Sequence, residues 1–411
     1  MNILFISNNF ELTNSNGSGR LNDLVAYLCS EGHSVQILAS TYNYLTGRID
    51  GKYKKRLFTI EGDDKCRVIK TWTYDGYHKS YTHRTIAFVS FIASSIIGQF
   101  RLKGYDVVFV GTPPFFLGIP AFLASRRAKV PLIYEVRDLW SDVAVEMGLL
   151  RSRVVINAIK WTERFLYSSS RVIVTNSPAF APFLQDLGVP SEKIIYIPNG
   201  VNLDQFNIDK VSADIRSRLD IKDELVCIYV GSHGRANNLD YILNAAKALV
   251  SDKRFKFLFV GDGNYKKMLV ERARSEGIVN SIFLEPVPKK DLAGYIRASD
   301  VGLATLLDTP KLRTTYPNKV FDYMACGRPT IVAIDGVIRS LVEDSGCGFF
   351  VDPNDPAELV AILKSVVNDR ENLKRMGERA FRYLRENFDR SISTKQLAKT
   401  ILENGGRSIG G

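Results

Sequence analysis

Short apolar runs separated by longer amphipathic stretches constrain this chain more than any other feature. The runs fall at 3–7, 34–39, 107–110, 132–136 and 172–175. The rhythm restarts after residue 206, with runs at 226–230, 257–260, 282–284, 301–304, 330–333 and 348–351. Near-continuous apolar strands alternating with helical patterns predict a parallel sheet covered on both faces, and two sets predict two doubly wound α/β units. A turn-rich stretch, Tyr196-Ile-Pro-Asn-Gly-Val-Asn202, lies between them as a linker. At 411 residues the chain is longer than one core usually grows, which agrees with two domains.

Composition removes several classes. Five cysteines without a C-x-x-C pair and four histidines indicate neither a disulfide framework nor a zinc site, so a reducing compartment is expected. Met1 leads directly into an apolar run, without the charged region and cleavage site of a signal peptide, and a cytoplasmic protein is expected. Segment 85–100 is uncharged but short for a membrane span and interrupted by Ser90, Ser94, Ser95 and Gly98, so it is read as a buried helix. The net charge is +11, and residues 1–200 carry +7 of it (23 basic, 16 acidic). Such a field favours an anionic partner: a diphosphate-bearing substrate, an anionic membrane surface or nucleic acid. No nucleic-acid motif is present, so a nucleic-acid partner is not expected.

Four segments carry residues suited to chemistry. In Asn14-Ser-Asn-Gly-Ser-Gly-Arg20, Gly17 and Gly19 precede a helical pattern; they can admit a phosphate to backbone amides or simply shape a tight turn. The spacing is not G-x-G-x-x-G, which argues against a nicotinamide cofactor. In Pro317-Asn-Lys-Val-Phe-Asp-Tyr-Met-Ala-Cys-Gly-Arg-Pro329, Pro317 and Asn318 suit a helix start whose first amides and Lys319 can face a diphosphate. Asp322 lies on nearly the same helix face as Lys319, either as a ligand-binding acid or as a favourable charge at the helix start. The loop 231–239 offers Gly231, His233 and Arg235, and the end of the 132–136 run offers Arg137 and Asp138. Arg137 either meets an anion or forms a buried salt bridge with Asp138 or Asp142.

Pro198-Asn-Gly-Val201 and Phe206, together with Gly32-His33, Ser177, Gly261-Asp-Gly263, Ser299-Asp300 and Ala325-Cys-Gly-Arg-Pro329, occur in one order along nearly the whole chain. In that order they resemble the family 4 group of retaining GT-B glycosyltransferases. Arg137-Asp138, with Pro317-Asn-Lys and Phe321-Asp-Tyr-Met-Ala, resembles the branch containing bacterial L-fucosamine transferases. The resemblance implies two Rossmann-like doubly wound domains facing a cleft. Residues 1–205 would form the acceptor domain, 206–385 the nucleotide-sugar domain and 386–411 a C-terminal helix packing back toward the N-terminal domain. It implies donor contacts from Gly17, Gly19, Gly231, His233, Gly261, Val287, Asn318, Lys319 and Asp322, with the Asp322 carboxylate accepting the ribose hydroxyls. Lys319, Arg235, Asp138 and Arg137 are the candidate catalytic groups. Three departures stand out. Thr314 and Asp322 replace two glutamates eight positions apart; Ser232 and Asn237 replace the usual arginine and lysine; and Arg137-Asp138 stands where many members have His-Asp.

The resemblance implies transfer of a sugar from a nucleotide diphosphate, UDP in the first instance and with an N-acetylated amino or deoxy sugar, to an acceptor hydroxyl with retained configuration. A lipid-linked or cell-envelope saccharide is the expected acceptor, met by a protein peripheral on the inner face of the membrane. No cofactor is expected, and the absence of a D-x-D pair argues against a metal bridging the diphosphate. The alternatives are a nucleotide-sugar epimerase or glycosyl phosphorylase on the same fold, and a non-catalytic GT-B partner subunit.

Overall fold

The computed structural model describes residues 1–12, 19–43, 48–54, 56–76, 81–206 and 215–406. The chain forms two compact units, Met1–Pro198 with Ser393–Gly411, and Asn199–Ile392.

In the first unit the strands are β1 (Asn2–Ser7), β2 (Ser34–Ser40), the short pair β3 (Tyr42–Asn43) and β4 (Arg48–Ile49), β5 (Phe58–Gly62), β6 (Cys66–Thr71), β7 (Val107–Gly111), β8 (Leu132–Val136), β9 (Val172–Thr175) and β10 (Ile194–Tyr196). Eight of them make one sheet in the order β10-β9-β8-β7-β1-β2-β6-β5, parallel throughout except for β5 against β6. The helices are α1 (Arg20–Ser30), α2 (Tyr81–Gly98), α3 (Gly118–Ala128), α4 (Trp140–Glu146), α5 (Arg153–Ser169) and α6 (Phe180–Asp186). Alternate residues of the strands feed two cores. Leu4, Val108 and Tyr134 meet Phe91, Ala121 and Leu166 of α2, α3 and α5 on one face. Ile3, Phe5 and Ile133 meet Leu24 and Leu28 of α1 on the other, together with Leu397, Ala398 and Ile401 from the end of the chain.

The second unit has one parallel sheet of β11 (Leu225–Val230), β12 (Phe255–Val260), β13 (Ser281–Leu284), β14 (Val301–Thr305), β15 (Thr330–Ala333) and β16 (Gly348–Phe350) in the order β13-β12-β11-β14-β15-β16. Its helices are α7 (Ile215–Arg218), α8 (Leu239–Ala248), α9 (Lys266–Ser275), α10 (Lys289–Ala298), α11 (Asn318–Ala325), α12 (Val337–Ser345), α13 (Pro356–Val366) and α14 (Arg370–Asn387), and α15 (Arg390–Asn404) carries the chain from this unit into the first. The strand order reverses between β11 and β14 here, and between β1 and β7 in the first unit. Open α/β sheets leave a crevice at such a point, beyond the carboxyl ends of the strands.

The structure departs from the sequence expectations in two places. The hairpin β5–β6 is absent from the sequence pattern because β6 carries Arg67 and Lys70, which hide its apolar alternation. Lys70 is nonetheless buried, donating to the Phe10 carbonyl and lying 3.5 Å from Glu11. The second correction concerns 85–100. Residues 85–98 lie within α2 and the last two begin a 3₁₀ turn, Gln99–Arg101; only one side of the helix is buried, through Ala87, Phe91, Ser94 and Ser95, while Ile86, Val89 and Ile97 are exposed. Among the described residues no helix is long and apolar enough to cross a membrane.

Arg20, the first residue of α1, is buried and lies with its Nε 2.9 Å from Glu135 Oε1 at the end of β8. Its guanidinium also donates to the Ile197 carbonyl at 3.1 Å and to that of Pro198, pinning the last residues of this segment of the unit. Removing one member strands the other charge in the interior. Arg20→Met is therefore expected to cost about 3 to 5 kcal/mol in chemical denaturation, and Arg20→Met with Glu135→Leu much less than the sum of the two single changes.

Candidate functional site

At the switch point of the second unit, β11 runs into Gly231 and the loop that leads to α8. This loop is laced to the one after β12: Gly231 N–H donates to the Val260 carbonyl (3.0 Å), His233 N–H to the Asp262 carbonyl (2.8 Å) and Tyr265 N–H to the His233 carbonyl (3.0 Å). Gly261 has φ +146°, and a Cβ there would overlap the Gly231 carbonyl, so glycine is demanded at 261 by loop packing alone.

Lys319 enters this loop from the second position of α11. The helix starts at Asn318 after Pro317, whose extended backbone (φ −67°, ψ 120°) breaks the preceding chain. The Lys319 ammonium donates to Tyr229 Oη at 2.7 Å, lies 3.4 Å from Asn237 Oδ1 and sits 3.9 Å from the centroid of the Tyr229 ring. Tyr229 Oη in turn donates to the Ser232 carbonyl at 2.9 Å. Among the described residues no carboxylate pairs with Lys319, and burial lowers its pKa to about 7. The charge is held by a ring face and two neutral oxygens.

The platform under it is rigid. Tyr323, four residues along α11, is buried; its Oη accepts from Val230 N–H (2.9 Å) and donates to the Leu303 carbonyl (3.1 Å), joining β11 to β14. Its ring lies where a side chain at Gly302 would stand, so α11 packs closely on the sheet only because 302 is glycine.

Asp322 is buried and reaches a different neighbour, with Oδ1 3.1 Å from Lys289 Nζ at the start of α10. Burial raises its pKa, and the Lys289 ammonium pulls it back. The expectation that Lys319 and Asp322 act from one helix face is thus refined: one turns to the loop after β11, the other to α10. Val287 is half-buried in the segment between β13 and α10, and the exposed Asn318 accepts from Asn199 Nδ2 at 3.4 Å. Arg235 is exposed at the start of a short 3₁₀ turn, Arg235–Asn237. Thr314 donates to the Lys311 carbonyl at 2.6 Å.

His233 lies fully buried beneath the loop, its ring 5.9 Å from that of Tyr229 and edge-on to Phe259 and Phe283. Among the described residues neither ring nitrogen has a hydrogen-bond partner, and burial lowers the pKa to about 4, with Lys266 and Lys319 adding repulsion. It is a neutral filler of an aromatic pocket.

In the first unit, Thr112 Oγ1, at the end of β7, donates to the Glu135 carbonyl (3.1 Å) and accepts from Arg137 N–H (3.0 Å), while Asn176 Nδ2 donates to the Arg137 carbonyl (3.0 Å). These bonds fix the backbone at Arg137 and leave its side chain exposed. The predicted alternative, a buried salt bridge of Arg137 with Asp142, is not formed: Asp142 pairs with Lys160 at 2.7 Å. Asp138 is partly buried and its pKa is raised by burial, with Arg137 opposing. Gly19 precedes α1 directly; Gly17 lies outside the described residues. Sequence reasoning missed Tyr229, Lys289 and the Arg20–Glu135 pair, because each acts through a partner distant in the chain. Only the aromatic two residues before Gly231 gave a local signal.

Two family descriptions match this chain: "Glycosyl transferase 4-like domain" over residues 18–200 and "Glycosyl transferases group 1" over residues 211–383. A D-inositol 3-phosphate glycosyltransferase of Geodermatophilus obscurus is 27% identical over 287 residues, 66% of this chain and 61% of that protein, so the match spans less than two thirds of that relative. The alpha-monoglucosyldiacylglycerol synthase of Acholeplasma laidlawii is 25% identical over 320 residues, 74% of this chain and 75% of that protein. Among solved structures, Anabaena HepE in complex with UDP superposes with a TM-score of 0.71 at 17% identity, over 98% of this chain and 100% of that one.

Below about pH 6.5 the unfolded chain protonates the imidazole of residue 233, whereas the folded protein resists this until about pH 4. The folded state therefore loses stability as pH falls through that window. Thermal unfolding between pH 7 and pH 4 should show a decline in Tm that is shallower in His233→Phe.

Proposed function

We propose that this chain, which matches a glycosyl transferase 4-like domain followed by a glycosyl transferases group 1 domain on a GT-B fold, moves a sugar from a UDP-sugar to an acceptor hydroxyl with retained anomeric configuration. The observation that carries the proposal is the Lys319 ammonium, next to the first turn of α11 and the loop after β11, with no carboxylate among the described residues to neutralise it. An unpaired, partly desolvated cation costs free energy unless an anion arrives, and a diphosphate supplies that anion. As the bond from the sugar to the diphosphate breaks, negative charge grows on the leaving group. A cation fixed in place beforehand stabilises the transition state more than the ground state.

In this scheme Asp322 accepts from the ribose hydroxyls with Lys289 holding its carboxylate, and Val287, Asn318 and the backbone at Gly231 and Gly261 line the donor. Arg235, exposed on the same loop as Gly231, supplies a second positive charge. His233 supports that loop from beneath rather than touching the donor. Arg137 and Asp138 serve the acceptor, Asp138 as the group that takes its hydroxyl proton, a role favoured by a carboxyl whose pKa burial has raised. The relatives named above act on an inositol phosphate and make a glycosylated diacylglycerol, as their names state, which favours an acceptor bearing phosphate or lipid. The narrower likeness to L-fucosamine transferases rests on Arg137-Asp138 together with residues 317–325.

Lys319→Ala is expected to lower kcat by roughly 100- to 1000-fold with a much smaller change in donor affinity, as for loss of one preorganised charge donor. Steady-state UDP release with and without acceptor, in the presence and absence of EDTA, checks this. A near-normal kcat would shift the role to Arg235. Conversion of the donor to an epimeric UDP-sugar, without acceptor and without net UDP release, would make the protein an epimerase.

A further inference from the structure

Helices α2, α3 and α5 form one layer over the first unit's sheet, and that layer is apolar on both sides. Inward, Phe91, Ala121, Ala124, Ile159 and Leu166 share a single core. Outward, α2 presents Ile86, Val89, Ala93 and Ile97, running on to Phe100, and α5 presents Val154, Ala158, Trp161 and Phe165. Each set repeats at three- and four-residue steps, so each is one continuous stripe along its helix. The exposed fractions are large for such side chains: Val154 78%, Trp161 69%, Phe100 61% and Val89 59%.

The stripes are joined across α3. Trp161 stacks on Phe165 at 5.9 Å, and Phe165 meets Phe122 of α3 edge-on at 4.8 Å. Arg126 lies over the Phe122 ring at 5.3 Å and Arg127 over Phe100 at 5.1 Å. A large apolar surface of this kind marks an interaction site.

Its charge is one-sided. The three helices hold Arg84, Arg126, Arg127, Arg153 and Arg164, besides Lys160, which pairs with Asp142 of α4 and with Glu163; Glu163, the one acid of these helices, is buried and accepts from Ser141 Oγ at 2.6 Å. A second copy of the chain docking by the same face would set like charges against each other around the rim. Aromatic rings flanked by arginines whose stems follow apolar surface suit a boundary between hydrocarbon and anionic headgroups.

We propose that the outer face of α2, α3 and α5 docks this protein on an anionic lipid bilayer, lying on the membrane without crossing it. The docking goes beyond the proposed transferase activity, and rests on it only in that the acceptor's lipid anchor would be met there.

The test is cosedimentation of the full chain with phosphatidylglycerol or phosphatidylcholine vesicles across a salt series, with UDP binding measured on the same samples. The wild type should sediment with phosphatidylglycerol but not phosphatidylcholine and be released by salt. Trp161→Glu with Phe100→Glu should lower the bound fraction about tenfold or more while leaving UDP binding unchanged. Val154→Glu alone, at the most exposed of these positions, provides the readout should the double variant fail to fold, and should weaken binding in the same direction. The docking is overturned if the wild type stays in solution with both lipids, binds both equally, or binds undiminished when these side chains are changed. It is equally overturned if the substitutions disperse a lipid-independent dimer. Absence of UDP binding by a wild type that sediments would sink the transferase proposal and leave the docking standing.

Discussion

The candidate site turns on one interaction, the Lys319 ammonium resting on Tyr229 with no carboxylate among the described residues beside it. A lysine so placed is expensive to keep charged, which is why burial brings its pKa down to about 7. Much of the surrounding architecture serves to hold it. Tyr229 fastens the loop by donating to Ser232, Tyr323 anchors α11 to β11 and β14, and Gly302 gives the Tyr323 ring its space. Pro317 sets the start of the helix from which Lys319 projects.

The same interaction gives physical sense to one departure from the family pattern. A lysine at 237 would bring a second ammonium to within a few ångströms of Lys319. Asn237 instead offers its Oδ1 at 3.4 Å, and its own carbonyl accepts from Thr305 Oγ1 at 2.6 Å. Position 237 thus offers an acceptor to the Lys319 ammonium, which reaches this loop from α11. Thr314, which replaces the other expected acid, bonds to the Lys311 carbonyl; nothing in the structure explains why a carboxylate is absent there.

The strands of both sheets were legible because a parallel strand buried on two faces is a nearly unbroken apolar run, as in β8 (Leu132–Val136) and β12 (Phe255–Val260). Strand β6 escaped because Lys70 interrupts the pattern, and its burial depends on the Phe10 carbonyl and Glu11, some sixty residues away. Lys319 and Asp322 could be named from local spacing around a helix start, but their partners could not. That Lys319 faces Tyr229 and Asp322 faces Lys289 depends on how α11 meets the sheet, which only the packed structure fixes. The outward stripe of α2 was illegible for a related reason: an uncharged helix reads as buried all round unless its neighbours are known.

If Lys319 is the group that receives the diphosphate, the anion must restore the proton that burial has loosened. Calorimetric titration of UDP at about pH 8.5, in two buffers of different ionisation enthalpy, measures that proton directly. The account expects uptake approaching one proton per UDP in the wild type and close to none in Lys319→Met. Binding without proton uptake in the wild type, or the same uptake in the variant, would contradict it.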